Sequence, residues 1–234
     1  PDLVLAYNPA TDAWRRLPGS GLAPRHGAVT VWTGQELVVW GGLNQESTAA
    51  YGDGARLDPA SGIWRRLPAA PIPARGQAAA VWSDDEVLLW GGVTSISSEG
   101  DNVVGQGAAF DPATDSWRAL PLSPLRAKSG SAGVWTGRFF LVIGGGAGPA
   151  GGQVPVPGPG SAAFDPATGT WTALPDAPAM PPFPPDVAPA ASNGADQRVG
   201  ALGVWTGRSA VVIGGGDGHL QGPRPDGLAW TPAG

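Results

Sequence analysis

Short apolar runs punctuated by glycine recur along the chain. Leu37–Trp40, Val87–Trp90, Phe139–Ile143 and Ala210–Ile213 each lead into a diglycine that begins at Gly41, Gly91, Gly144 or Gly214. Runs of four or five apolar residues bounded by glycine predict strands buried on both faces. Ahead of each lies a segment ending in Val-Trp: Ala28–Trp32, Ala78–Trp82, Ala132–Trp135 and Ala201–Trp205. The pairs Thr33-Gly34, Ser83-Asp84, Thr136-Gly137 and Thr206-Gly207 sit between the two, and such pairs suit a hairpin. After a variable loop, Tyr7, Leu57, Phe110 or Phe164 precedes Asn-Pro-Ala or Asp-Pro-Ala, where the Asn or Asp side chain can close a local turn. A last segment carries Trp14, Trp64, Trp117 or Trp171 and ends at Leu-Pro. No segment keeps a 3.6-residue apolar period long enough for a helix.

These signals hold one register. Trp14, Trp64, Trp117 and Trp171 recur at intervals of 50, 53 and 54, and Trp32, Trp82, Trp135 and Trp205 at 50, 53 and 70. The diglycines repeat the spacing of the second tryptophan line. Four short antiparallel strands per unit of roughly 50 residues describe one blade of a β-propeller. A lone blade cannot bury both faces, so blades must stack about an axis. The tryptophans are then expected between blades, each burying on the order of 200 Å²; a sugar-stacking platform is the other use for such a line. The expected class is all-β.

The diglycine after the second strand, followed by the pairs Tyr7/Trp14, Leu57/Trp64, Phe110/Trp117 and Phe164/Trp171, resembles the Kelch repeat. Leu57 departs from the aromatic of that pattern. The resemblance spans essentially all of residues 1–234 and implies a single Kelch-type propeller domain. Its units are an outer half-blade at 1–18, whole blades at 26–68, 76–121 and 129–175, and the inner part of a blade at 199–234. Leu3–Tyr7 and Leu228–Trp230 are both third-type strands. Kelch rings usually have six or seven blades, so about four units imply an incomplete ring, with a closed four-bladed ring as the alternative. Residues 176–197, rich in Pro and Ala, form an insertion expected to run extended over the surface.

Composition narrows the functions. The chain has 38 glycines, 26 prolines and 11 tryptophans, with 42% apolar residues, which is too much core-forming side chain for a disordered protein. A formal net charge of −5 and only 14 lysines and arginines argue against nucleic acid as a partner. No apolar run reaches the ~18 residues of a membrane span. Cysteine is absent, which removes disulfides, thiol nucleophiles and zinc knuckles. Copper radical oxidases of the Kelch type need a Tyr–Cys cross-link, so that activity is excluded within this chain. A composition rich in Ala, Gly, Pro and Arg with Lys128 as the one lysine fits a GC-rich bacterial source, and such repeats often occur in extracytoplasmic or secreted proteins.

A cation stands seven residues before each inner-strand tryptophan: Arg25, Arg75, Lys128 and Arg198. Topology puts these on the rim that carries the long second-to-third loops, residues 43–54, 93–107, 146–160 and 216–227. Variable loops on a rigid scaffold are where binding residues usually lie. In Kelch domains that bind acidic peptides, arginines at the matching position line the pocket. The four cations are therefore the candidate ligand-binding residues, suited to a carboxylate or sulfate; pairing with a neighbouring Asp or a backbone carbonyl is their other use. No catalytic, cofactor or metal residues are assigned. Gly146–Gly151 matches G-x-G-x-x-G, but Pro155, Pro157 and Pro159 follow where a helix is needed. His26 and His219 lack evident partners for zinc or a triad. Glu99, Asp101 and Asp217 do not have the spacing of a known calcium loop.

The expected function is a non-catalytic scaffold that recognises a protein or glycan, anionic by the cation ring, through this rim. The alternative is a carbohydrate-active isomerase resembling the Kelch sialic acid mutarotases. It would need an acid or base in the mouth, for which Glu46, Glu99 and His219 are the candidates.

Overall fold

The computed structural model describes residues 4–97, 101–146, 160–175, 198–216 and 227–232. Every regular element among them is a β-strand. A two-stranded sheet comes first, β1 (Val4–Asn8) and β2 (Ala13–Leu17). Three four-stranded antiparallel sheets follow. The first is β3 (Val29–Trp32), β4 (Leu37–Trp40), β5 (Gly54–Asp58) and β6 (Ile63–Arg66). The second is β7 (Ala79–Trp82), β8 (Val87–Trp90), β9 (Gly107–Asp111) and β10 (Ser116–Ala119). In the third are β11 (Ala132–Trp135), β12 (Phe140–Ile143), β13 (Ala162–Asp165) and β14 (Thr170–Ala173). The last sheet has three strands, β15 (Leu202–Trp205), β16 (Ala210–Ile213) and β17 (Gly227–Trp230). Each strand pairs with its neighbour in sequence, an up-and-down order consistent with propeller blades. The insertion at 176–197, with Glu99, Asp217 and His219, lies outside the described residues.

Local chemistry fixes the turns. In the inner hairpins the Thr33 Oγ1 accepts the Glu36 N–H at 3.0 Å, and Ser83, Thr136 and Thr206 do the same for Glu86, Phe139 and Ser209. The residue after each hydroxyl is left-handed: Gly34, Gly137 and Gly207 take it without strain, whereas Asp84 adopts φ 73°. At the outer turns, Asn8, Asp58, Asp111 and Asp165 each accept the N–H two residues on, at 2.7–3.0 Å. Asn/Asp-Pro-Ala is therefore an Asx turn joining third strand to fourth.

The second strands run through the core, and β8 and β12 are buried along their whole length. Innermost strands β3, β7, β11 and β15 lie side by side in that order. Among the described residues β15 and β3 do not share packing as extensive as that of the adjacent pairs. Val29, Val31, Val38 and Trp40 pack on Val87, Leu89 and Phe110 of the next sheet. Val81, Leu88 and Trp90 pack on Phe140, Val142 and Phe164, and Val134, Leu141 and Ile143 on Ala210 and Val212. Burying each large side chain contributes about 1.5–3 kcal/mol, so these three seams hold most of the cohesion.

The tryptophans belong to the seams. Trp40 meets Trp117 with ring centres 5.6 Å apart, and Trp90 meets Trp171 at 6.3 Å. The fourth-strand indoles also latch sheet to sheet: Trp64 donates to Pro18 O at 2.9 Å, Trp117 to Pro68 O and Trp171 to Pro121 O at 3.1 Å. Trp14 has no described sheet before it, and the sheet before Trp32 has only the two strands β1 and β2; the two indoles are 67% and 50% exposed.

Candidate functional site: the loop-bearing rim and the axial mouth

The diglycines set the rim. Both residues of each pair are left-handed, for example Gly91 at φ 72° and Gly92 at 110°. The turn brings the second N–H onto a carbonyl of the next sheet: Gly42 donates to Arg75 O at 2.8 Å, Gly92 to Lys128 O at 2.7 Å and Gly145 to Arg198 O at 3.1 Å. A Cβ on Gly91 would lie 2.6 Å from Lys128 O, so the approach admits only glycine.

Three of the candidate cations, Arg75, Lys128 and Arg198, supply these carbonyl acceptors, and the side chains of all four turn back into their own sheets. Arg75 Nη1 donates to Gly91 O at 3.1 Å and Gln106 O at 2.9 Å, while its Nε reaches Pro73 O at 2.9 Å. Arg25 Nη1 takes Gly41 O at 2.9 Å and both the carbonyl and carboxylate of Asp53, with its guanidinium 4.3 Å over the Tyr51 ring. Lys128 Nζ donates to Gly160 O at 2.7 Å, and Arg198 Nη1 to Gly214 O at 2.8 Å. Arg25 and Arg75 thus each grip both ends of a second-to-third loop, one carbonyl where it leaves the sheet and one where it returns. Lys128 holds the returning end and Arg198 the leaving end.

Arg75 and Arg198 are each 1% exposed. Burial pushes the Arg75 guanidinium down to about 10, which leaves it charged at neutral pH. Fixed carbonyls on a fork of N–H donors offset that burial. The Asp53 carboxyl is held below the ordinary carboxylate range, chiefly by its hydrogen bond from Arg25. All four cations stand four residues before an innermost strand, and each side chain donates to a main-chain carbonyl of the loop that joins the second and third strands of its own sheet.

What does converge is backbone. Two residues after each cation stand Gly27, Gln77, Gly130 and Gly200, all left-handed at φ 55–73°. Gln77 N–H donates to Gly27 O at 2.7 Å, Gly130 N–H to Gln77 O at 2.9 Å and Gly200 N–H to Gly130 O at 2.8 Å. One such hydrogen bond therefore links each sheet to the next. Beside it opens a cavity of about 330 Å³ lined by Gln77, Ala78, Gly130, Ser131, Val199, Gly200 and Ala201. The sequence carried a signal for this mouth, glycine at three of four register-matched positions.

Of the remaining candidates, His26 Nε2 lies 3.0 Å from Ser47 Oγ at the base of the 43–54 loop, and Glu46 is exposed. Among the described residues no group of three or more His, Asp or Glu side chains could hold a metal ion.

An all-β array of antiparallel sheets with linked inner strands is the class these observations define. No family model matches the chain, and no curated protein matches it. The fold is similar to that of the solved structure of YjhT, with a TM-score of 0.61 and 20% identity over 87% of this chain. The chain spans 63% of the length of that structure.

Proposed function

We propose that the chain folds as blades of a Kelch-type β-propeller and acts as a non-catalytic binding scaffold. It takes a protein or glycan on the rim formed by the second-to-third loops and the axial mouth. The observation that carries this reading is the set of cation grips. Buried cations are costly, and here they are used to hold the ends of loops whose lengths differ from sheet to sheet. Arg25, Arg75, Lys128 and Arg198 are on this reading positioning residues. Ligand contact falls to the loop side chains and to the hydrogen-bonding groups of the mouth, among them Gln77 and Ser131.

The test is capture on glycan and peptide arrays. Wild-type protein is compared with a variant whose residues 94–105 are replaced by a Gly-Ser segment of equal length. Loss of capture with an unchanged Tm is expected. Undiminished capture would place recognition elsewhere and overturn the proposal. Accelerated anomer exchange of a sugar acid, followed by NMR, would establish the isomerase alternative in its place.

A further inference from the structure

One backbone position recurs at the mouth of every sheet, and the chain varies it once. Gly27, Gly130 and Gly200 take the left-handed conformation there, which glycine adopts without strain. Gln77 holds the same conformation at φ 55°, where an L-residue is strained. Its backbone does nothing that glycine would not do. The Gln77 N–H donates to Gly27 O at 2.7 Å, and its carbonyl accepts the Gly130 N–H at 2.9 Å. Nor does the side chain offset the strain with a bond of its own, since its amide has no hydrogen-bond partner among the described residues. Gln77 belongs to the second four-stranded sheet and has a four-stranded sheet on either side of it. Room is kept for its side chain: a Cβ on Gly27 would lie 3.2 Å from Gln77 Cγ, so the bare glycine leaves the space that the Gln77 stem fills.

The cavity of about 330 Å³ supplies the chemistry. Its apolar side chains are those of Ala78, Val199 and Ala201, and its polar ones are those of Gln77 and Ser131. Among the described residues no ionisable side chain lines it. The Ser131 hydroxyl donates to Gly144 O at 3.1 Å, which leaves its oxygen able to accept. A carboxylate or sulfate that entered would shed water and meet no counter-charge among these side chains. A hydroxyl would exchange water for the Gln77 amide.

We propose that the mouth seats one uncharged pyranose residue of a glycan and that Gln77 is the side chain that selects it; the proposal rests on the binding role put forward above and names its ligand. The Gln77 carboxamide donates from Nε2 and accepts at Oε1, and two adjacent sugar hydroxyls answer both functions. The apolar side chains take the C–H face of the ring. A volume of about 330 Å³ stands at the lower end of small-ligand sites (~300–1,000 Å³), which is room for a single ring rather than a length of peptide. The four cations give no reason for an anion here, because their side chains hold loop carbonyls. The strain at Gln77 is then the cost of placing one amide in a mouth that glycine otherwise lines.

The test uses an array of neutral hexose oligosaccharides, the same oligosaccharides ended by a hexuronic acid, and peptides, probed with wild type, Gln77→Met and Gln77→Gly. Methionine keeps the unbranched stem without the amide, and glycine is the residue of the other three units. Wild type is expected on the neutral oligosaccharides alone. Both variants should need about tenfold more protein for half-maximal capture. The Tm should be unchanged in Gln77→Met and unchanged or raised in Gln77→Gly. A lowered Tm in Gln77→Gly would overturn the proposal, because the side chain would then serve the fold. Capture confined to the acid-ended oligosaccharides or to peptides would overturn it as well, and so would capture that neither variant weakens. In those cases the scaffold reading still stands if replacement of residues 94–105 abolishes capture. A wild-type protein that captures nothing removes both.

Discussion

Gly91→Ala tests how tightly the seams are built. At φ 72° an L-residue costs about 1–2 kcal/mol relative to glycine. The new Cβ would stand 2.6 Å from Lys128 O, where ordinary contact begins at 3.4 Å, so one backbone must move by about 0.8 Å. The carbonyl in the way is the acceptor of the Gly92 N–H at 2.7 Å. Weakening that bond inside a seam costs about 1–3 kcal/mol more. The total expected is about 2–5 kcal/mol, a large part of the ~5–15 kcal/mol that holds an ordinary domain together. Gly137→Ala is the control, because Gly137 has φ 86° and nothing within 4 Å of a built Cβ. It should lose only the conformational ~1–2 kcal/mol. Urea unfolding of the two variants, with m-values compared, reads the difference directly. Equal losses would refute the steric account, since the clash and the seam bond would then carry nothing.

Two further predictions use paired differences. Trp40 Nε1 donates to Gly52 O at 3.1 Å, whereas Trp90 Nε1 is buried with no hydrogen-bond partner among the described residues, so Trp40→Phe should cost about 1–3 kcal/mol more than Trp90→Phe in the same assay; a reversed order would contradict the hydrogen-bond assignment. Asp53 has a carboxyl depressed below 3.8 by Arg25, so its stabilisation is present above that unfolded value and is lost as pH falls through the lower folded one. Wild type should therefore exceed Asp53→Asn in stability at neutral pH and converge with it in acid, and a gap that stays constant with pH would exclude this linkage.

Strands were legible because burial repeats within a few residues. Leu37–Trp40, Val87–Trp90 and Ala210–Ile213 form as the apolar pattern marks them, and Ala28, Ala78, Phe139 and Ala201 drop out at the first position of theirs. Asn/Asp-Pro-Ala was legible because its hydrogen bond is local. The fate of the cations was not. A side chain seven residues from a tryptophan reads as facing the axis or facing the sheet equally well, and the choice is made by carbonyls 16–32 residues away. Gln77 hid the mouth for a related reason. It occupies a position that glycine fills in the other three units, so the left-handed backbone left no uniform mark.

The grips on the loop ends have a consequence for how this protein can change. In the Arg75 clamp the two loop-end acceptors are main-chain carbonyls, which every amino acid possesses. The side chains of residues 94–105 take no part in those two bonds. Selection, or a designer with a randomised library, can rewrite that stretch or alter its length while the anchorage stays the same. The scaffold therefore separates heritable stability from heritable specificity, and new recognition can be explored there without refolding the frame.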